Sequence, residues 1–342
     1  MEDTKFSKAL SRRVQNVPPI WFMRQAGRYH AHYRAIREKH SFMDLCKVPE
    51  LATEVTMGPI QDFDFDAAIL FSDILFPLEG FGMGLEYTDE GPRLGWHLRA
   101  AEDLKRLRPT ADVVASLAFQ AAALRQIRER LPREKALLGF VGGPWTLFSY
   151  AVQGRHEGGL LEAKRRLNLF ASFAEHLVPV LEANIRLQLD AGADIVMIFD
   201  TAAGELSSEA FRERIVPVLR GLADRFPGRL GYYSRGTGPD HLRDERVLLA
   251  PWAGMGVDHR WAMGSALGLR REGFIQGNFD QTLLHMEPAD FEAELLKWLA
   301  PLERLGAAGR AGWVCGLGHG VLPKTPERNV KRFVEIVRER LA

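Results

Sequence analysis

With 342 residues, 46% of them hydrophobic, the chain can bury a large core, as one big α/β domain or as two smaller ones. Its net charge of +1, from 45 basic and 44 interspersed acidic residues, gives no pointer to nucleic acid. No apolar run reaches the roughly 18 residues of a membrane span, the opening MEDTKFSKALSRR lacks the apolar stretch of a secretory signal, and two cysteines, Cys46 and Cys315, make no disulfide framework. A cytoplasmic protein is expected, one domain over 1–342, with residues 1–17 as a flexible lead.

The first notable stretch is Trp21–Tyr29, WFMRQAGRY. Arg24 and Arg28 sit four apart around Gln25, Ala26 and Gly27, and Arg37 follows. One helical turn would put the two arginines on one face; Gly27 would equally allow a tight loop. An RxxxR pair is commonly a solvated surface feature. Here the apolar lead-in Pro18–Met23 argues for charges facing a cleft, where guanidiniums pair with carboxylate or phosphate. The cluster reads as an anion clamp.

Helical patterns over Ala31–Lys39 and Val48–Phe63 come next, then a strand-length run, Asp66–Ser72, that ends in Asp73. Gly80–Arg93 is Gly-rich, a loop or hairpin. Helical periodicity marks Glu102–Leu107 and Val113–Leu131; Leu137–Val141 is a strand followed by Gly142-Gly143-Pro144-Trp145. A long helical tract from about Leu160 to Leu189 is expected to break near Pro179. Ile195–Phe199 is a strand leading to Asp200-Thr201, Ser207–Arg225 a helix capped by serine, and Arg229–Tyr233 a strand leading to Ser234-Arg235. Signals at Val247–Ala250 and near Val257 are weaker. Phe274–Gln276 and Gly312–Cys315 are strands around a helix at Pro288–Leu305, and Pro326–Leu341 is a closing helix.

Strands alternating with helices imply parallel pairing through right-handed crossovers. Seven or eight such units fit a single (β/α)₈ barrel, whose active site lies at the C-terminal strand ends. Asp73, Trp145, Thr201, Ser234, Asn278 and His319 all fall just past such an end. A polar residue there can also simply start a loop. Six in one phase favour a shared mouth.

Phosphate-loop, HExxH and dinucleotide fingerprints are absent, and Cys315 with His319 is too few ligands for zinc. The sequence calls for neither metal nor cofactor. Asp73, after AILFS, is expected in a partly desolvated setting that raises its pKa unless cations or donors satisfy it; it could instead cap a turn. Tyr150 could be a core aromatic and His319 a backbone-bonded loop histidine.

The segments MRQAGRY with Arg37 downstream, ILFSDIL, GGPWTLFSY, IFDTAAGELS, QGNFD and GLGHGVLPKTPERNV, in that order from Pro18 to Val337, resemble uroporphyrinogen decarboxylases. The resemblance implies a cytoplasmic homodimer without cofactor or metal. Its reaction would convert four acetate arms of uroporphyrinogen to methyls, giving coproporphyrinogen and carbon dioxide. It also carries substrate contacts onto Arg24, Gln25, Ala26, Gly27, Arg28, Arg37, Asp73, Tyr150, Thr201 and His319, with catalytic weight on Asp73, Arg24, Arg28, Tyr150 and His319. GLGHG stands where NLGHG is usual, QGNFD where QGNLD is usual, and Trp252–Ala266 departs from a GLDW-like pattern. Two rivals are a zinc-dependent methyltransferase of the same barrel type and a non-enzymatic porphyrin carrier.

Overall fold

A computed structural model describes residues 3–88, 91–155 and 158–342. Seven parallel strands form one curled sheet in the spatial order β1 (Ala67–Ile69), β4 (Ala136–Gly142), β5 (Ile195–Asp200), β6 (Leu230–Ser234), β7 (Gly254–Gly256), β8 (Phe274–Phe279) and β9 (Trp313–Leu317). Between β1 and β4 stands an antiparallel hairpin, β2 (Leu85–Thr88) with β3 (Gly91–Leu94), inside the expected Gly-rich stretch. Two strands of the parallel sheet have no strand on one side, and the segment before Arg24 occupies that space. Ile20 bridges Cys315 of β9 in parallel, Cys315 N donates to Pro19 O at 2.9 Å, and Asp66 N donates to Ile20 O at 2.8 Å just before β1. One short extended piece thus hydrogen-bonds both sheet edges.

The strands are apolar on both faces because both are covered. Ile195, Met197 and Phe199 of β5 point into an inner cluster with Trp21, Leu138, Tyr233, Phe274 and Val314. Val196 and Ile198, one residue out of phase, pack outward against the helices. Burying each such side chain contributes roughly 1.5–3 kcal/mol. The N-terminal residues are more ordered than their charge suggests. Lys5–Leu10 is a helix capped by Thr4, and its Phe6 and Ala9 are fully buried in the inner cluster, Phe6 against Phe274 at 5.5 Å.

Several elements differ from expectation for identifiable reasons. The helix Phe170–Asp190 runs straight through Pro179, since tertiary packing of its apolar face outweighs the lost backbone bond. The residues after the strand go straight into a helix, Pro144–Gln153, where a proline at the first turn loses no bond. The tract at 110–130 is two helices, Thr110–Ser116 and Ala118–Arg130, parted at Leu117. Val247 lies in a one-turn helix, Glu245–Leu248, and β7 near Val257 is only three residues long. No helix among the described residues is long and apolar enough to cross a membrane.

Candidate active site

A cavity of about 310 Å³ opens at the C-terminal ends of the strands. The loop Met23–Ala26 forms one side and Ile69–Ile74, the segment leaving β1, the next. Phe140, Tyr150, Phe199, Thr201, Arg235 and His319 complete it. A larger groove, about 770 Å³, lies outside the sheet between the helix Phe170–Asp190 and residues 213–225, and no expected site residue borders it. Size alone therefore does not locate the chemistry.

Asp73 stands among apolar walls made by Ile69, Leu70, Phe71 and Ile74. Its loop is fastened by its neighbours: Thr56 Oγ1 accepts from Phe71 N at 3.0 Å, and Gln120 Nε2 donates to Ser72 Oγ at 3.0 Å. Asp73 Oδ1 accepts Leu75 N at 2.8 Å, which fixes its own rotamer. Burial pushes its carboxyl above the usual carboxylate range, and the Leu75 N–H, the Tyr87 hydroxyl and the Arg24 charge pull it back only in part. The carboxyl is half-buried by surface because it faces the cavity, yet protein surrounds it on its other sides. Burial and the Asp73 charge in turn raise the pKa of Tyr150 and of Tyr87, a residue of β2 that the motifs do not single out. The Tyr87 hydroxyl is buried beside the Asp73 carboxylate. With Asp73 close by, it is poised to donate there.

Arg24 occupies a left-handed backbone conformation, φ 60°, so the segment is a turn rather than a helix. For a residue with a Cβ this costs roughly 1–2 kcal/mol. Gln25 holds the turn from behind: it is buried, its Nε2 donates to Ala67 O at 3.0 Å, and its carbonyl accepts the Tyr29 hydroxyl at 2.7 Å. The Arg24 stem crosses Gly320, where an added Cβ would lie 2.5 Å from Arg24 Cδ. The last glycine of GLGHG leaves the groove in which that side chain runs.

His319 is positioned by Tyr233, a residue the motifs do not reveal. The rings stack at 6.0 Å and 14°, and the Tyr233 hydroxyl sits 3.0 Å from His319 Nδ1 and 2.7 Å from Gly318 O. Thr201 is set by the buried Asp200, whose Oδ1 accepts Thr146 N at 2.9 Å and Thr146 Oγ1 at 2.7 Å, while Ala202 N donates to that hydroxyl at 3.0 Å. Burial pushes Asp200 up to about 6.

Of the residues expected at a shared mouth, Arg24, Gln25, Ala26, Asp73, Tyr150, Thr201 and His319 border the cavity. Gly27, Arg28 and Arg37 do not. The Arg28 and Arg37 charges act together on Tyr33 outside it, and Arg37 Nη1 donates to His40 O at 2.8 Å. Three strand-end residues turn elsewhere. Trp145 packs in the core on Phe148 and Phe170; Ser234 Oγ pairs with Thr237 Oγ1 at 2.6 Å; Asn278 Nδ2 fastens Asp258 O and Trp261 O. Packing claims the Trp145 ring and local partners claim the Ser234 and Asn278 polar atoms, so only half of that phase argument holds. Arg235, which the sequence marks only as following a strand, lines the cavity. Among the described residues no group of three or more His, Cys, Asp or Glu is placed to hold a metal ion.

The chain is 35% identical over 343 residues to a uroporphyrinogen decarboxylase of Solibacter usitatus, covering 98% of this chain and 97% of that one. It is 38% identical over 352 residues to that of Methylococcus capsulatus, with the same coverage. Among solved structures, a methyltransferase from Methanosarcina mazei superposes with a TM-score of 0.75 over the whole of both chains at 19% identity, a likeness of fold. The family model described as uroporphyrinogen decarboxylase matches residues 1–340, and the chain belongs to that family.

Proposed function

We propose that the protein decarboxylates the four acetate arms of uroporphyrinogen to give coproporphyrinogen in tetrapyrrole synthesis, within a single closed eight-staved barrel. The family supports the substrate, and the segment through Ile20, hydrogen-bonded to both sheet edges, supports the closure. The observation that carries the reading is a carboxylate, Asp73, held among apolar walls beside the Arg24 charge and facing a cavity at the strand ends.

The macrocycle presents pyrrole N–H groups at its centre and carboxylates around its rim. Asp73 accepts the N–H donors of a puckered ring. Arg24 holds a rim carboxylate at the cavity, Arg28 and Arg37 meet arms that extend past its edge, and Tyr150, Thr201 and His319 orient the arm that is reacting. Protonation of a pyrrole spreads positive charge over the ring before carbon dioxide leaves. A fixed carboxylate beneath that ring stabilises the cation as it develops, an effect worth several kcal/mol in a water-poor site. No metal or cofactor enters this scheme, and the working form is a cytoplasmic homodimer.

The raised pKa of Asp73 has a sign. In the free protein the carboxyl takes up a proton more readily than usual; ring N–H donors favour its charged form. Binding therefore tightens as pH rises through the free-protein pKa and weakens below it.

Anaerobic incubation with uroporphyrinogen, then chromatography of the oxidised products, tests the reaction. Products with fewer than eight carboxyls support it. A carrier would return every carboxyl intact, and stoichiometric zinc in the purified protein would favour the methyltransferase reading.

A further inference from the structure

A second cavity, about 420 Å³, adjoins the first and shares Thr201 and Arg235 with it. Gly204, Glu205, Gly236 and Arg260 also border it. The first cavity lies at the lower end of the ~300–1,000 Å³ usual for ligand sites, and a tetrapyrrole with its acid arms extends beyond it.

Arg235 is built unlike an ordinary surface arginine. Its carbonyl accepts Gly204 N at 3.1 Å, and the next N–H, Gly236, donates to Asp258 Oδ2 at 2.7 Å. The two loops meet backbone to backbone: a Cβ on Gly204 would lie 2.4 Å from Arg235 O, and Gly236 has φ 74°. The main chain at Arg235 is thus pinned on both sides. Its guanidinium is exposed and makes no hydrogen bond or ion pair among the described residues.

Among the described residues, the charges nearby leave Arg235 uncompensated. Arg260 pairs with the buried Asp258 at 2.6 Å, and Glu205 lies 3.8 Å from Lys164. The placement is also opposite Arg24. Arg235 follows β6, the fourth of seven strands, whereas Arg24 follows the segment that joins the two sheet edges. Arg24, Arg235 and Arg260 all act on the Tyr233 hydroxyl from around it.

We infer that Arg235, on its pinned corner, binds a rim carboxylate of the substrate in this second cavity, gripping the macrocycle on the side across from Arg24. The inference rests on the proposed substrate. Arg260, held by Asp258, keeps donors to spare and shapes the same cavity from behind.

Equilibrium titration of the full-length protein with uroporphyrin, which carries eight carboxylates, reads this contact without turnover. Losing one charge-assisted contact in Arg235→Gln should raise Kd roughly 10- to 30-fold, with Arg235→Lys recovering much of it. The loss should shrink at high salt and be smaller for coproporphyrin, which has fewer arms. Under turnover, KM should rise by a similar factor with kcat within about threefold. Thermal unfolding of each variant checks that the exposed substitution leaves the fold intact. A Kd within twofold of wild type overturns the inference, even if decarboxylation proceeds normally. Weakened binding by Arg235→Gln in a protein that returns all eight carboxyls would uphold this contact and overturn the decarboxylase reading.

Discussion

The two sides of the cavity are built on different principles. On the side formed by residues 23–87, polar groups point inward with few protein partners: Arg24 has no hydrogen bond or ion pair among the described residues, the buried Tyr87 hydroxyl has the Asp73 carboxylate beside it, and Asp73 Oδ1 accepts Leu75 N. On the side formed by residues 200–260, polar groups satisfy one another, as in Asp200 with Thr146, Ser234 with Thr237, Asp258 with Arg260 and Tyr233 with His319. Buried polar groups normally find partners. A side where they do not is one whose partners arrive with the ligand, and a side where they do is a frame that holds other residues still. Thr201 and Arg235, with no side-chain hydrogen bond among the described residues, are exceptions on the second side.

Substitutions on the first side should therefore strike function harder than stability. Asp73→Asn keeps an oxygen for Leu75 N and removes the charge. We expect kcat to fall about 10³-fold, on the order of 4 kcal/mol of transition-state stabilisation, with little change in unfolding temperature. Near-normal kcat would remove Asp73 from the chemistry. Arg24→Gly should raise KM roughly 10- to 50-fold through the lost charge-assisted contact. Glycine takes φ 60° without strain, so stability should stay within about 1 kcal/mol of wild type. A large drop in stability would mean that Arg24 belongs to the frame.

A subtler change sharpens the same contrast. Gly320→Ala would put a methyl 2.5 Å from Arg24 Cδ, and the flexible stem would move aside rather than the backbone. KM should rise roughly three- to tenfold, which corresponds to about 1 kcal/mol, while thermal stability is unchanged. If KM stays put, Arg24 reaches its ligand by another path.

How far the residues foretold this arrangement follows the same division. Asp73, Thr201 and His319 were legible because motif and strand-end position coincide, and Tyr150, inside the helix Pro144–Gln153, from its motif alone. Trp145, Ser234 and Asn278 share the position but were captured by local packing and hydrogen bonds, which a linear pattern does not display. Tyr87 was hidden because the β2–β3 pair between β1 and β4 brings it back beside Asp73. Tyr233 looked like any apolar strand residue, and nothing marks a tyrosine whose hydroxyl reaches a histidine 86 positions later. The alternation of strands and helices gave the α/β class and the parallel pairing of the sheet, while Pro179 misled because its cost is small beside the packing of a 21-residue helix. The order at Lys5–Leu10 rested on Phe6 finding the inner cluster, a long-range event.

The smallest effect on activity, and the clearest on the frame, belongs to Asp200. Its side chain does not border the cavity; it ties Thr146 and, through that hydroxyl, Ala202. Burial raises its pKa from 3.8 to about 6. Below about pH 4 both folded and unfolded forms are protonated and the group has no effect on stability. As pH climbs from there to about 6, the unfolded chain releases the proton while the folded protein retains it, so stability falls. Above pH 6 the full penalty stands, about 3 kcal/mol at 1.36 kcal/mol per pKa unit. Asp200→Asn keeps an acceptor for Thr146 and cannot ionise. The variant's stability relative to wild type should thus rise steadily from pH 4 to pH 6 and level off, as read by denaturant unfolding across that range. A difference that stays flat with pH would mean the folded protein holds Asp200 charged throughout, with the Thr146 donors offsetting its burial.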